Sequence, residues 1–251
     1  MARDGTTLSG SDLLCMPAAG GDAAENAVAA SPCAASLLAL SRRIDWRFLM
    51  PDPCLGEVLY LGPEESDLVE ALEQFSASVT AVDALQTPAA NTARYDRVVL
   101  TRPTYDTLRA AAEAIRPGGY LYLEARTFHS GMGSRRRTGQ PRLRFAADFT
   151  RAVGNLGFDC AESYWHWPSF RLCEEMVPLG DVGAMLHVFA RRGKGPIARC
   201  KAAIGRMLVY VGLFSYLVPC FSVVARKKLE PEKGGVESCR ALQFLPGRAG
   251  Q

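Results

Sequence analysis

Between residues 57 and 126, short apolar runs alternate with segments of helical period. Few folds accommodate that order. "EVLYLG" (57–62) reads as a buried strand. "SDLVEALEQF" (66–75) places Leu68, Val69, Leu72 and Phe75 at helical spacing, with Ser66 positioned to cap. "SVTAVDA" (78–84) and "YDRVVLTRP" (95–103) read as two further strands. "YDTLRAAAEAIRPGG" (105–119) reads as a helix running to Arg116, stopped by Pro117 and two glycines, and "YLYLEAR" (120–126) as a fourth strand. Strands alternating with helices predict an α/β fold with a doubly wound, mostly parallel sheet. In such sheets ligands bind beyond the carboxyl ends of the strands. Here those ends are Gly62, Asp83, the stretch from Leu100 to Pro103, and the stretch from Glu124 to Thr127.

The flanks read differently. Residues 1–40 are rich in Ala, Gly, Ser and Asp. They set Arg3 against Asp4, Asp12, Asp22 and Glu25, and are expected to form a disordered acidic tail, with a short helix at "AASLLALSRR" as the one exception. The folded domain is expected over 41–228. It would begin with "RIDWRFLMPDP", whose Trp46, Phe48, Leu49 and Met50 could plug one end of a core. After the fourth strand, 127–145 is a polar loop with Arg135, Arg136, Arg137, Arg142 and Arg144 and no acid: either a lid for an anionic substrate or a plain solvated loop. A helix (146–158), an extended stretch (159–167), an irregular stretch (168–181), helices at 182–192 and 195–217, and a last strand at 220–228 follow. Residues 229–251 read as a loose tail.

The net charge of +3 gives no argument for a nucleic-acid partner. Eight cysteines without a CxxC pair predict no metal site. With no basic-then-apolar leader, they read as reduced thiols of a cytoplasmic protein, Cys160 and Cys220 as small core residues. The stretch 207–225 carries no charge and is long enough to span a bilayer. Pro219 and the β-branched "CFSVVARK" instead predict a helix followed by a strand, which leaves contact of that helix with a membrane surface as an alternative.

Several of these segments together resemble class I S-adenosylmethionine-dependent methyltransferases. They are "AAAEAIRPGGYLYLEA", "VTAVDA", "YDRVVL", and the carboxyl-terminal series "GFDCAESYWHWPSF", "VPLGD" and "FSVVARK". The resemblance covers roughly residues 44–228. It implies a Rossmann-like fold with a helical insertion before the last strand, S-adenosylmethionine as cofactor, and methyl transfer to oxygen or nitrogen of a small molecule. It assigns Asp83 to the ribose hydroxyls, sets Gly62 and Glu64 beside the methionine moiety, and brings Leu100 and Thr101 to the cofactor. Two departures stand out. The first turn, usually glycine-rich after an acid, is here Tyr60 followed by "LGPEES". Only eleven residues, 84–94, separate the second strand from "YDRVVL", too few for the helix and edge strand the family fits there. Both departures support a second reading, a catalytically silent relative that binds a partner or ligand.

A base for proton removal is sought among three histidines. His166, between Trp165 and Trp167, is one candidate. The alternative is a strand whose tryptophans pack while the histidine faces solvent. His129, on the loop after the fourth strand, is the other candidate. His187 sits in an apolar helical stretch and reads as structural.

Overall fold

In the first strand, β1 (Glu57–Leu61), Val58 and Tyr60 point to one face and Leu59 and Leu61 to the other, and all four are buried. A strand covered on both sides needs helices on both sides, and the computed structural model has them. It describes residues 32–63, 67–83, 94–127, 143–191 and 195–229. Seven strands form one sheet in the order β2-β1-β3-β4-β7-β5-β6. The others are β2 (Ser78–Val82), β3 (Tyr95–Thr101), β4 (Ile115–Arg126), β5 (Phe158–Trp167), β6 (Glu175–Pro178) and β7 (Cys220–Lys227). The first four are mutually parallel. β7 runs against both β4 and β5, so β5 points the same way as β4, and β6 returns antiparallel at the edge. This is the doubly wound, mostly parallel Rossmann-like fold of the methyltransferase type that the sequence predicts, with one reversed strand inserted near its centre.

One face is covered by α1 (Pro32–Arg43), a 3-10 helix (Asp45–Leu49) and α2 (Asp67–Phe75), which bury Ile44, Trp46, Leu68 and Leu72 against Tyr60, Tyr122 and Val224. Trp46 stacks on Tyr122 with ring centroids 3.9 Å apart and planes 8° from parallel. The other face carries α3 (Tyr105–Ala114), α4 (Ala146–Asn155) and the insertion α5 (Val182–Arg191), α6 (Pro196–Tyr210) and α7 (Phe214–Leu217), packed on Leu61, Leu100, Leu123 and Phe221. Local signals fix the helix ends. Thr104 and Thr107 exchange side-chain and backbone hydrogen bonds across the first turn of α3. The Asp148 carboxylate accepts from the Phe145 amide at the start of α4.

Several boundaries differ from the sequence expectation. Helix α3 stops at Ala114, where Ile115 turns extended to pair with Tyr95; Arg116, which precedes proline, is extended in turn. β4 therefore begins at Ile115 and absorbs the whole Arg-Pro-Gly-Gly turn, pairing Ile115 with Tyr95 before a register shift. Gly119 is needed at that shift, since a Cβ would lie 2.8 Å from the Asp96 carbonyl. The stretch 168–181 contains β6 rather than only irregular chain, and the long carboxyl-terminal helix is broken at Gly212, whose φ is 72°. Helix α1 begins at Pro32 and so crosses the boundary expected near residue 40. Phe48 is exposed, leaving Trp46 and Met50 as the plug, with Leu49 partly buried beside them. Cys160 is exposed at a bulge in β5, with φ 49°, while Cys220 is buried as expected. Among the described residues no helix is long and apolar enough to cross a membrane; 207–225 divides into the end of α6, α7 and the start of β7.

Candidate functional site

The parallel register aligns the carboxyl ends of the strands. Leu61 pairs with Val82 on one side and Leu100 on the other, and the Gly62 amide donates to the Val82 carbonyl at 3.2 Å. The next position on each strand is therefore Asp83, Gly62 and Thr101. Thr101 continues the row to Glu124, Glu124 to Ser222, and Ser222 to Tyr164. Of the residues singled out in the sequence, Gly62, Asp83 and Thr101 are thus brought to one edge of the sheet.

The turn at Gly62 is tightly built. A Cβ there would fall inside contact distance of Thr101 Oγ1 and 2.7 Å from the Tyr60 hydroxyl. That hydroxyl donates to the Pro63 carbonyl at 3.2 Å and lies 3.1 Å from Thr101 Oγ1. Tyr60 occupies the place where the resembled family carries an acid, and it fastens the turn to β3 through its own hydroxyl. The glycine is required by the close approach of these two side chains, so the corner remains tight although most of the expected glycines are missing. Asp83 stands half-buried at the next strand end. Leu100 is fully buried on the face of the sheet opposite Tyr60, packed in the apolar core. Glu64 and His129 lie outside the described residues, as do Ser66 and residues 128–142 of the arginine-rich loop, whereas Arg144 is exposed and its amide donates to Asp148 at 3.2 Å.

Beside the turn, on the face roofed by α1, is a buried polar cluster. Arg43 donates to both oxygens of Glu124, at 2.6 and 2.7 Å, and Tyr122 donates to Glu124 Oε1 at 3.0 Å. Arg43 Nε also approaches Asp67 at 3.5 Å, and Asp67 accepts from Arg171 at 2.9 Å. Burial alone would lower the Arg43 guanidinium. The charge and hydrogen bonds of Glu124, with Tyr122 and Asp67, raise it on balance. Burial, and then the Glu124 charge, push the Tyr122 hydroxyl well up. The sequence signal for this cluster is an acid, Glu124, at the end of an otherwise apolar strand.

His166 belongs to the same cluster. Its Nε2 lies 2.8 Å from Ser222 Oγ, its ring meets Tyr122 and Phe170, and it is 2 % exposed. Burial, with the nearby Arg43 charge, lowers its pKa to about 3, so the ring is neutral near pH 7. It does not face solvent: residues of α1 and the 3-10 helix lie over it. Trp165 packs on the other face against Phe189 and Phe214. A cavity of about 40 Å³ lies between Arg43, Asp45, Trp46, His166, Phe170 and Cys173, room for water and not for a cofactor. Burial raises the Cys173 thiol to about 11, so it stays protonated. His187 lies on α5. Among the described residues no group of three His, Cys, Asp or Glu could hold a metal ion.

Compared with known proteins, the chain matches no protein-family profile and no curated protein. Among solved structures it is similar to phosphoethanolamine N-methyltransferase 2 of Haemonchus contortus in complex with S-adenosyl-L-methionine, at 15 % identity over 77 % of this chain and 52 % of that one, with a TM-score of 0.43. It is also similar to a SAM-dependent methyltransferase from Archaeoglobus fulgidus, at 13 % identity over 76 % of this chain and 94 % of that one, TM-score 0.43. A possible histamine N-methyltransferase from Thermotoga maritima matches at 11 % identity over 76 % and 90 %, TM-score 0.39. The chain spans about half the length of the Haemonchus protein. At such scores these likenesses add nothing to what the strand order establishes.

Proposed function

We propose that the chain binds S-adenosylmethionine at the carboxyl ends of its parallel strands and transfers its methyl group to oxygen or nitrogen of a small molecule. The observation that carries this reading is the register that sets Gly62 and Asp83 at adjacent ends of two parallel strands, with Thr101 beside them. In this reading Asp83 accepts from the ribose hydroxyls. The Gly62 corner gives the methionine moiety a close backbone approach, and Glu64 offers negative charge to a cationic ligand. When bound, the cofactor supplies an electrophilic methyl group on sulfonium. The protein's part is to align the acceptor, exclude water and accept a proton. His166 is tied to Ser222 beneath α1, so His129, three positions beyond the end of β4, is the proposed base.

A second reading is favoured by the same turn: Tyr60 and Thr101 close the corner with the chain's own atoms, as in a relative that no longer turns over and serves as a binding or partner subunit. Calorimetry with S-adenosylmethionine and S-adenosylhomocysteine separates the two. The enzyme reading expects saturable heat, and Asp83→Ala weakens binding roughly 10- to 100-fold, the effect of losing a hydrogen bond to a charged group. Absence of heat at millimolar ligand overturns it in favour of the silent relative. Saturable heat untouched by Asp83→Ala removes the role given to that carboxylate.

A further inference from the structure

The insertion between β6 and β7 leaves one apolar face uncovered. Helix α6 buries Ala202, Gly205 and Val209. Gly205 is pressed on the ring of Phe189 in α5 so closely that a Cβ would lie 2.8 Å from Cδ1 and nearer still to the outer ring carbons. The opposite side should then be polar, and it is not. Ile197, Ile204, Met207 and Val211 recur at spacings of seven, three and four residues, which places them on one stripe. They are 53 % to 72 % exposed. Beyond the Gly212 turn, Leu213 and Leu217 of the α7 segment continue the exposure. A run of large apolar side chains this long on the surface marks a face meant to be covered.

Charge says what covers it. From residue 195 to residue 219 the chain has no acid, and its charged residues are Arg199, Lys201 and Arg206, all exposed. At 3.6 residues per turn, Lys201 lies directly beside the apolar stripe on one side, and on the other Tyr210, then Arg199 and Arg206, follow it round the helix. Tyr210 and Tyr216 add exposed rings with a polar tip. A second copy docked by two-fold symmetry would set these basic borders against their like. A bilayer containing anionic lipid offers the complement: acyl chains for the stripe and negative headgroups for the borders.

We infer that α6 and the α7 segment form a docking surface for an anionic membrane, with α6 lying in the plane of the interface. The inference is independent of the methyl-transfer reading, because neither cofactor nor acceptor enters its test. That test is flotation of the full chain with phosphatidylcholine vesicles prepared with and without phosphatidylserine. Binding is expected only with phosphatidylserine and is expected to weaken as salt is raised. Lys201→Gln and Arg206→Gln each lower partitioning about 5-fold. Met207→Asp lowers it at least about tenfold, with circular dichroism and the thermal midpoint unchanged because the site is exposed. No flotation with phosphatidylserine vesicles overturns the inference, as does flotation that none of the three substitutions alters. A dimer in size-exclusion chromatography that Met207→Asp dissociates, with no vesicle binding, assigns the face to a second copy instead.

Discussion

Arg43 reaches Glu124 across 81 residues of sequence with two parallel hydrogen bonds, so the helix that leads into the domain is fastened to the carboxyl end of a central strand. Both partners are nearly buried. Removing Arg43 leaves Glu124 charged in the interior with only the Tyr122 hydroxyl bonded to it. Arg43→Ala is expected to destabilise the fold by about 3–5 kcal/mol, read from urea unfolding. Glu124→Gln, which leaves Arg43 only the more distant Asp67 as a charge partner, should also destabilise. A loss under about 1 kcal/mol in both variants would show that the pair is no clamp.

The turn at Gly62 offers a paired test. Gly62→Ala pushes a methyl group into Thr101 Oγ1 and the Tyr60 hydroxyl, and should cost about 1–3 kcal/mol. Thr101→Ala removes the nearer obstacle. The double variant should then recover part of the loss, giving a coupling energy of at least about 0.5 kcal/mol. Additive losses would mean the turn relaxes elsewhere.

His166 makes the fold sensitive to acid. Its pKa, lowered to about 3 by burial and by Arg43, lies below the value of about 6.5 in an unfolded chain. Below pH 6.5 the unfolded state therefore takes up a proton that the folded state refuses. The stability this group supplies is complete above pH 6.5 and is lost as the pH falls toward 3, at up to about 1.4 kcal/mol per pH unit. His166→Gln should abolish that component, so the stability gap between wild type and variant narrows from pH 7 to pH 4. A gap independent of pH would show that the ring is free to take a proton in the folded protein.

The stacked pair Trp46 and Tyr122 carries the packing of the leading segment. Trp46→Ala should cost about 3–5 kcal/mol and lower the thermal midpoint. Phe48→Ala, two residues on and exposed, should change stability by less than about 0.5 kcal/mol. Equal effects at the two positions would contradict the assignment of Trp46 as the plug.

The parts of this architecture that repeat at a local period were legible in the sequence. The apolar runs around Leu59, Val98 and Leu121 could only be buried strands, and the spacing of Leu68, Val69 and Leu72 could only be a helix. What escaped depends on neighbours far along the chain. Pro117 and its glycines suit a helix stop, yet the pairing of Ile115 with Tyr95 moves the stop two residues earlier. Glu175 to Pro178 lacks the length of a typical strand and has Val177 as its single β-branched residue, and it becomes a strand because the β5 edge is open to it. At the candidate site, the strand-end positions of Gly62, Asp83 and Thr101 followed from the alternation itself. The cluster of Arg43, Tyr122, Glu124, His166 and Ser222 draws on four separate segments. No local pattern announces it beyond a single acid in an apolar run.

The position of β7 has a consequence for how the chain reaches this state. Among the described strands the one translated last lies between β4 and β5, so during synthesis the sheet stands in two parts, the first four strands and the β5–β6 hairpin, each with an open edge, until residue 227 has left the ribosome. Of the described strands, the last to emerge is the one that joins the two parts of the sheet.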